Sequence, residues 1–345
     1  MRGEKVTYRS EIERRIVRLR GAQAFENYLD VRAHVFAMMD AWDGSPERGP
    51  SAYWREEIEG FAYLFDASPL LIERLREQSY HITGLKSYEY RAHHHHRAGL
   101  FETKFRMLAD VDPAGLFVPE AAELGGFGFD FGKGLVNIDT LKFYEVMIGL
   151  ERAGALAKFR QGGRRAVVEI GSGWGGFAFQ FKKLFPDTTY VCVDLPPTML
   201  FSGVYLKTLF PEAKFLFFGE DGFEEKTQRL NEYDFVFLPH FYFSDFKTER
   251  LELAINMVSF QEMTTSQVDA YVRGLRGIGC EKIYSMNRDR SKHNSELSTV
   301  REILSRYYRV NNIDVLSIPY TELNPPKGAP KPPGVFDYVH CLGGE

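Results

Sequence analysis

The chain has 345 residues, 44% of them hydrophobic, and a formal charge of −4. That is enough for one large domain plus a smaller addition, and it is too acidic to bind nucleic acid by electrostatics alone. No apolar run is long enough to cross a bilayer, so neither nucleic acid nor membrane is an expected partner. The three cysteines, Cys192, Cys280 and Cys341, stand far apart in apolar sequence, and residues 1–20 are charged rather than leader-like. Both features predict a cytoplasmic protein with reduced thiols.

Residues 1–110 carry helical periodicity and few strand signals. Ile12, Ile16 and Leu19 recur at helical spacing, as do Phe61, Leu64 and Phe65, and Pro69 suits a first helical turn. We read this part as a helical appendage whose role is packing, dimerisation or covering a substrate; a homo-oligomer is compatible with it. Residues 93–96 are four consecutive histidines. Consecutive side chains diverge, so a solvated edge is the expectation and no metal site is assigned. Residues 111–163 form a connecting segment. It begins with a glycine- and phenylalanine-rich stretch, Gly125-Gly126-Phe127-Gly128-Phe129, that suits a loop near a substrate. A helix over 140–156 follows, with Leu141, Tyr144 and Ile148 on one stripe; Tyr144 is a candidate acceptor contact.

Residues 164–345 read as alternating strands and helices. The pivotal stretch is Val167-Val168-Glu169-Ile170-Gly171-Ser172-Gly173-Trp174-Gly175-Gly176. A short apolar run, an acid and a burst of glycines describe a strand turning into a helix, with backbone free to lie against a ligand. The next strand, Tyr190 to Val193, ends at Asp194, an acid placed to accept both hydroxyls of a ribose. Strands are then expected at 214–218, 234–238, 253–259 and 282–286, helices at 198–209 and 296–308, and a helix ending at 275 that is capped by Thr264, Thr265 and Ser266. Strands at 312–318 and 336–342, joined by a proline-rich loop at 319–333, suggest an antiparallel hairpin. The fold class is therefore α/β: a doubly wound, mostly parallel Rossmann-like sheet with a C-terminal antiparallel hairpin and an N-terminal helical region. Because 253–259 leads directly into a capped helix and a strand, it is taken as the fourth strand. One of the two strands before it is then an insertion.

Gly171, Gly173 and Gly176 satisfy a dinucleotide pattern, so the glycines alone leave the cofactor open. Glu169 before the turn discriminates: a pyrophosphate prefers no acid there, whereas the ammonium and sulfonium of S-adenosylmethionine suit one. Glu169 to Gly176 with Asp194-Leu195-Pro196 resembles the first two motifs of class I S-adenosylmethionine-dependent methyltransferases. Asn256-Met257-Val258-Ser259-Phe260-Gln261-Glu262-Met263 and Tyr284-Ser285-Met286-Asn287-Arg288 resemble the sugar O-methyltransferase family; the likeness covers about residues 130 to 290. The resemblance implies that Gly171 and Gly173 lie against the methionine part with Glu169 behind them. Asp194 would hold the ribose, with Leu195 near the adenine. Glu220 and Asp221, or else Pro239 and His240, would meet the adenine edge. Asn256 and Ser259 would line the floor beside the sulfonium, although a satisfied polar residue inside a strand describes Asn256 equally well.

Transfer to a sugar hydroxyl calls for a general base. Glu262, just after the fourth strand, is the first candidate and His240 the second. Asn287 and Arg288 stand at the next strand end, placed for acceptor hydroxyls or an acceptor phosphate. The competing readings are a methyltransferase for a phenolic or amine acceptor, which Phe127 to Phe131 would suit, an NAD-dependent oxidoreductase, and a binding module without turnover.

Overall fold

Short apolar runs separated by glycine-bearing turns build strands that are buried on both faces, and here they make a mixed sheet eight strands wide among the described residues. The computed structural model describes residues 7–45, 49–248, 251–291, 294–316, 318–324 and 334–344. The chain starts with helices α1 (Tyr8–Arg20), α2 (Gln23–Ala41) and α3 (Ala52–Phe61), then the single turns α4 (Pro69–Ile72), α5 (Leu75–Gln78) and α6 (Tyr80–Thr83), then α7 (Ala98–Ala109). A small ribbon, β1 (Phe129–Asp130) and β2 (Leu135–Val136), precedes α8 (Ile138–Arg152). Strands and helices then alternate through β3 (Arg165–Ile170), α9 (Gly176–Leu184), β4 (Thr188–Asp194), α10 (Pro196–Leu209), β5 (Phe215–Phe217), α11 (Phe223–Thr227), β6 (Phe235–Pro239) and β7 (Leu253–Met257). The chain continues through α12 (Thr265–Gly277), β8 (Ile283–Arg288), α13 (Val300–Leu304), β9 (Arg309–Asn312) and β10 (Tyr338–Gly344).

The strand order is β5-β6-β4-β3-β7-β8-β10-β9. Pairing is parallel from β5 to β8 and antiparallel at β10 and β9, the doubly wound sheet with an antiparallel end that the sequence predicts. β7 lies beside β3, as expected of a fourth strand, and the insertion is now identifiable. β6, buried along its whole length, takes the place beside β4, while the shorter β5 is left at the edge. The order reverses at β3, which has β4 on one side and β7 on the other. The crevice beyond the carboxyl ends of these strands is where open α/β sheets take ligands.

Two expectations shift. The strand expected at 312–318 pairs instead over Arg309–Asn312, a mostly exposed stretch without the apolar alternation that would betray it. Val315 leaves the sheet and enters the core, where its carbonyl accepts from the Arg152 guanidinium (3.2 Å). The helix expected over 296–308 shortens to α13, because the Ser305 hydroxyl donates back to the Arg301 carbonyl (2.7 Å) and the chain tightens after Leu304. Most of the proline-rich loop, residues 325–333, lies outside the described residues.

The N-terminal helices pack on the sheet's helical layer. Val31 of α2 meets α10 at Gly203, where a Cβ would clash with the Val31 side chain at 2.6 Å. The Asn27 amide donates to the Thr208 hydroxyl nearby (3.3 Å). Tyr28, Val31, Val35 and Phe61 share one buried cluster with Phe201, Val204 and Phe217. The four histidines occupy a mostly exposed 3₁₀ turn, in which His93 meets the Tyr88 ring at a tilt and His94 meets it edge-on. Among the described residues, no helix is long and apolar enough to cross a membrane.

Candidate functional site

The glycine turn begins where β3 ends. Gly171 has φ of 77°, and a Cβ there would overlap the Ser259 hydroxyl, so only glycine lets the two strand ends approach. The Gly173 amide donates to Asp194 Oδ2 (2.6 Å) and the Leu195 amide to Oδ1 (2.7 Å). The acid closing β4 therefore pins the turn against the next strand. Burial raises its pKa, with hydrogen bonds from Thr198, Gly173 and Leu195 opposing the shift. A carboxylate has about four acceptor positions, so with these three hydrogen bonds in place one position remains for a hydroxyl.

Glu169 is 1% exposed and accepts a hydrogen bond from the Tyr190 hydroxyl (2.8 Å). Burial pushes its pKa up to about 8, so near neutrality it holds its proton until a cation arrives beside it. Once ionised, an acid so placed behind the glycines would complement a positive ligand and repel a pyrophosphate.

Beyond β7 the chain bends sharply. Val258 has φ of 56°, a left-handed conformation that costs a β-branched residue on the order of 1–2 kcal/mol. The bend turns Ser259 toward Gly171 and leads into the single turn Phe260–Glu262. Glu262 faces the cavity. Burial pushes its pKa up to about 7, while a hydrogen bond from Trp54 and the charge of Lys142 pull it down.

These groups converge on one cavity of about 980 Å³. Glu169, Gly171, Gly173, Asp194, Leu195 and Ser259 line it, together with His240, Glu262 and Arg288. The Arg288 guanidinium lies 4.4 Å from the centre of the Tyr338 ring. Of the two stretches expected near an adenine edge, His240 lines the cavity, whereas the Glu220 carboxylate accepts from the Phe217 amide (2.8 Å) and pairs with Lys226 (3.2 Å).

Three expected residues lie outside the wall. Asn256 donates to the Ile170 carbonyl (2.8 Å) and accepts from the Phe260 amide (3.1 Å) and the Asn287 amide group (2.8 Å). The Asn287 amide group also donates to the Ser285 hydroxyl (2.8 Å), so the two asparagines fasten β3, β7 and β8 together beneath the site. Tyr144 faces away: its hydroxyl donates to Asp112 (2.8 Å), and its ring packs between Phe105 and Phe117. The phenylalanine-rich loop is likewise committed elsewhere, with Phe127 over Arg76 and Phe129 against Tyr90 and Phe101.

The sequence reading allowed the N-terminal helices to cover a substrate but named none of the residues they bring. Tyr53 and Trp54 of α3 and Ile82 and Thr83 of α6 line the cavity, as do Tyr320 and Tyr338 from the C-terminal part. Lys142 of α8 also faces it, held by Asp139 (3.0 Å). Only Trp174 carried a readable signal, a large aromatic set between glycines.

No family model and no curated protein matches this sequence. Solved structures with a related arrangement include an O-methyltransferase family protein from Burkholderia thailandensis, 10% identical over 60% of this chain and 59% of that one, with a TM-score of 0.34. Magnesium protoporphyrin IX methyltransferase from Synechocystis PCC 6803, solved with S-adenosylhomocysteine bound, is 8% identical over 72% of this chain and 96% of that one, at 0.37. A Haemonchus contortus phosphoethanolamine N-methyltransferase is 12% identical over 47% and 38%, at 0.31. The alignment thus spans less than two thirds of the Burkholderia and Haemonchus chains. Likeness at this level settles neither activity nor substrate.

Proposed function

We propose that this protein is an S-adenosylmethionine-dependent methyltransferase acting on a hydroxyl of a sugar or glycosylated metabolite. The observation that carries the reading is one cavity that brings together the glycine turn with the buried Glu169 behind it, Asp194 at the end of β4, and Glu262 just after β7. The backbone at Gly171 and Gly173 and the carboxyl of Glu169 would receive the amino-acid end of the cofactor, with Asp194 and Leu195 taking the nucleoside. When bound, that group would supply an electrophilic methyl for the acceptor oxygen. Glu262 takes the hydroxyl proton. With a pKa of about 7 it is ionised often enough to accept a proton and basic enough to want one. The strand-end scaffold fixes the approach, which is where most of the acceleration of a displacement arises.

The sugar reading draws on the resemblance of residues 256–263 and 284–288 and on the polar lining from Thr83, Lys142, Gln261, Gln267 and Arg288. The aromatic walls Tyr53, Trp54, Tyr320 and Tyr338 favour a second reading, a phenolic acceptor, since a flat ring gains most from them. Buried, unpaired thiols at Cys192, Cys280 and Cys341 support a reducing compartment. The test is calorimetric titration with S-adenosylhomocysteine and, separately, NADH, followed by a homocysteine-release screen of nucleotide-sugars, glycosides and phenols. Binding of NADH but not S-adenosylhomocysteine would overturn the cofactor; turnover of phenols alone would overturn the sugar.

A further inference from the structure

A buried polar cluster at the edge of the cavity, which its members Asp139 and Trp174 line, joins four separate stretches of chain. Its centre is Arg76 of α5, which is 2% exposed. The guanidinium forks onto Glu120, with Nε to Oε1 at 2.6 Å and Nη2 to Oε2 at 3.3 Å. It also donates to Asp139 of α8 (3.0 Å) and to the Ser79 hydroxyl (2.5 Å). Glu120 is held on its other side by the Asn137 amide group (2.7 Å). Above this plane lies Trp174, the aromatic residue of the glycine turn, its ring centre 3.7 Å from the guanidinium carbon, and its indole N–H donates to Asp139 (3.1 Å). Phe127 stands 4.6 Å away.

A guanidinium and two carboxylates withdrawn from water are not explained by stability alone, because well-packed apolar residues often serve as well or better. Such a cluster does define an arrangement, since each member is wrong in any other position. Here the member that matters is Trp174. Gly173 and Gly175 on either side both have positive φ, 54° and 86°, and permit many backbone paths. Trp174 is the one side chain in that run large enough to be gripped, and it is gripped twice.

We propose that Arg76 is a positioning residue for the cofactor turn: through Trp174 and Asp139 it fixes the path of the backbone from Gly171 to Gly175. The inference rests on the reading of that turn as the seat of the cofactor's amino-acid end. It makes the N-terminal helices part of the cofactor site as well as of the cavity wall. It also distinguishes two ends of that site: the Asp194 and Leu195 end is built by β4 and α10, makes no direct contact with Arg76, and meets the turn through the Gly173 amide (2.6 Å).

The test compares two ligands, S-adenosylhomocysteine and 5′-methylthioadenosine, which has the same nucleoside and sulfur but lacks the amino-acid end. The variants are Arg76→Lys, which keeps the charge but loses the fork, and Trp174→Phe, which keeps a ring but loses the N–H. Calorimetric affinities are measured on protein whose native melting transition is intact. If Arg76→Lys does not fold, Trp174→Phe carries the same comparison. The expectation is that affinity for S-adenosylhomocysteine falls about tenfold, as for loss of charge-assisted hydrogen bonds, while that for 5′-methylthioadenosine stays within about twofold. Equal loss for both ligands, or no loss for either, overturns the inference. If the unaltered protein binds neither ligand, the cofactor reading itself fails, an outcome distinct from the others.

Discussion

Replacing Glu262 by glutamine separates its two consequences, one for rate and one for stability. As the proposed base, Glu262 should be worth a factor of about 10²–10⁴ in turnover, or roughly 3–5 kcal/mol of barrier. With a pKa of about 7, its ionised fraction climbs from about a tenth at pH 6 to about nine tenths at pH 8, so turnover rises about tenfold across that interval. Stability moves the other way. Burial raises the folded-state pKa from the usual 4.5, so the folded protein keeps a proton that the unfolded chain has released. That stabilisation is complete below pH 4.5 and disappears as pH climbs through 7. Between pH 6 and 8 the loss is roughly 1 kcal/mol, which is about 2 °C in melting temperature for a chain of this length. The assays are homocysteine release from pH 5.5 to 9 with a positive acceptor, and melting of ligand-free protein over the same range. Glu262→Gln should lose turnover, keep its affinity for S-adenosylhomocysteine, and show a melting temperature that falls less between pH 6 and 8 than that of the unaltered protein. Full turnover in the variant would refute the assignment of the base, and an identical pH dependence of melting would refute the raised pKa.

Asp194→Ala should weaken S-adenosylhomocysteine binding tenfold or more by calorimetry, since it removes a charged acceptor worth about 1.5–3 kcal/mol and releases the Gly173 amide. Gly171→Ala should abolish that binding, because both its φ and the Ser259 contact oppose a side chain; adding Ser259→Gly should restore only part of it. Trp54→Phe should move the rising limb of the pH–rate profile to higher pH, as Glu262 loses a hydrogen bond that favours its ionised form. An unmoved limb would show that the indole does not reach Glu262 in the working enzyme.

The wall made by Glu169, Gly171, Gly173 and Asp194 was legible because its signals are local. Positive-φ glycines, an acid one residue from a strand end and the Thr264 cap, which accepts from the Gln267 amide, each declare themselves within a few residues. The cap in particular decided which strand lies beside β3. Asn256 and Asn287 illustrate the limit of such reading. Polar residues at the ends of adjacent strands look alike whether they face a cavity or each other, and here they face each other. What distant elements bring to the site was not legible. Trp54 and Arg76 act over long separations; Arg76 lies 44 residues from Glu120 and 63 from Asp139, and a lone arginine in a short helix looks like any solvated one. The ribbon Phe129–Asp130 and Leu135–Val136 hid behind glycines that suggested only a loop.

The seam between α2 and α10 also sets a timetable for synthesis. Asn27 and Thr208, partners across it, are 181 residues apart. At ribosomal rates of about 5–20 residues per second, α2 waits on the order of ten seconds or longer for the surface that covers Val31 and Val35. During that interval its apolar stripe is open to any other chain nearby. A helper that shields nascent helices should therefore raise the yield of this protein, and synonymous codons that slow translation between the two helices should lower it.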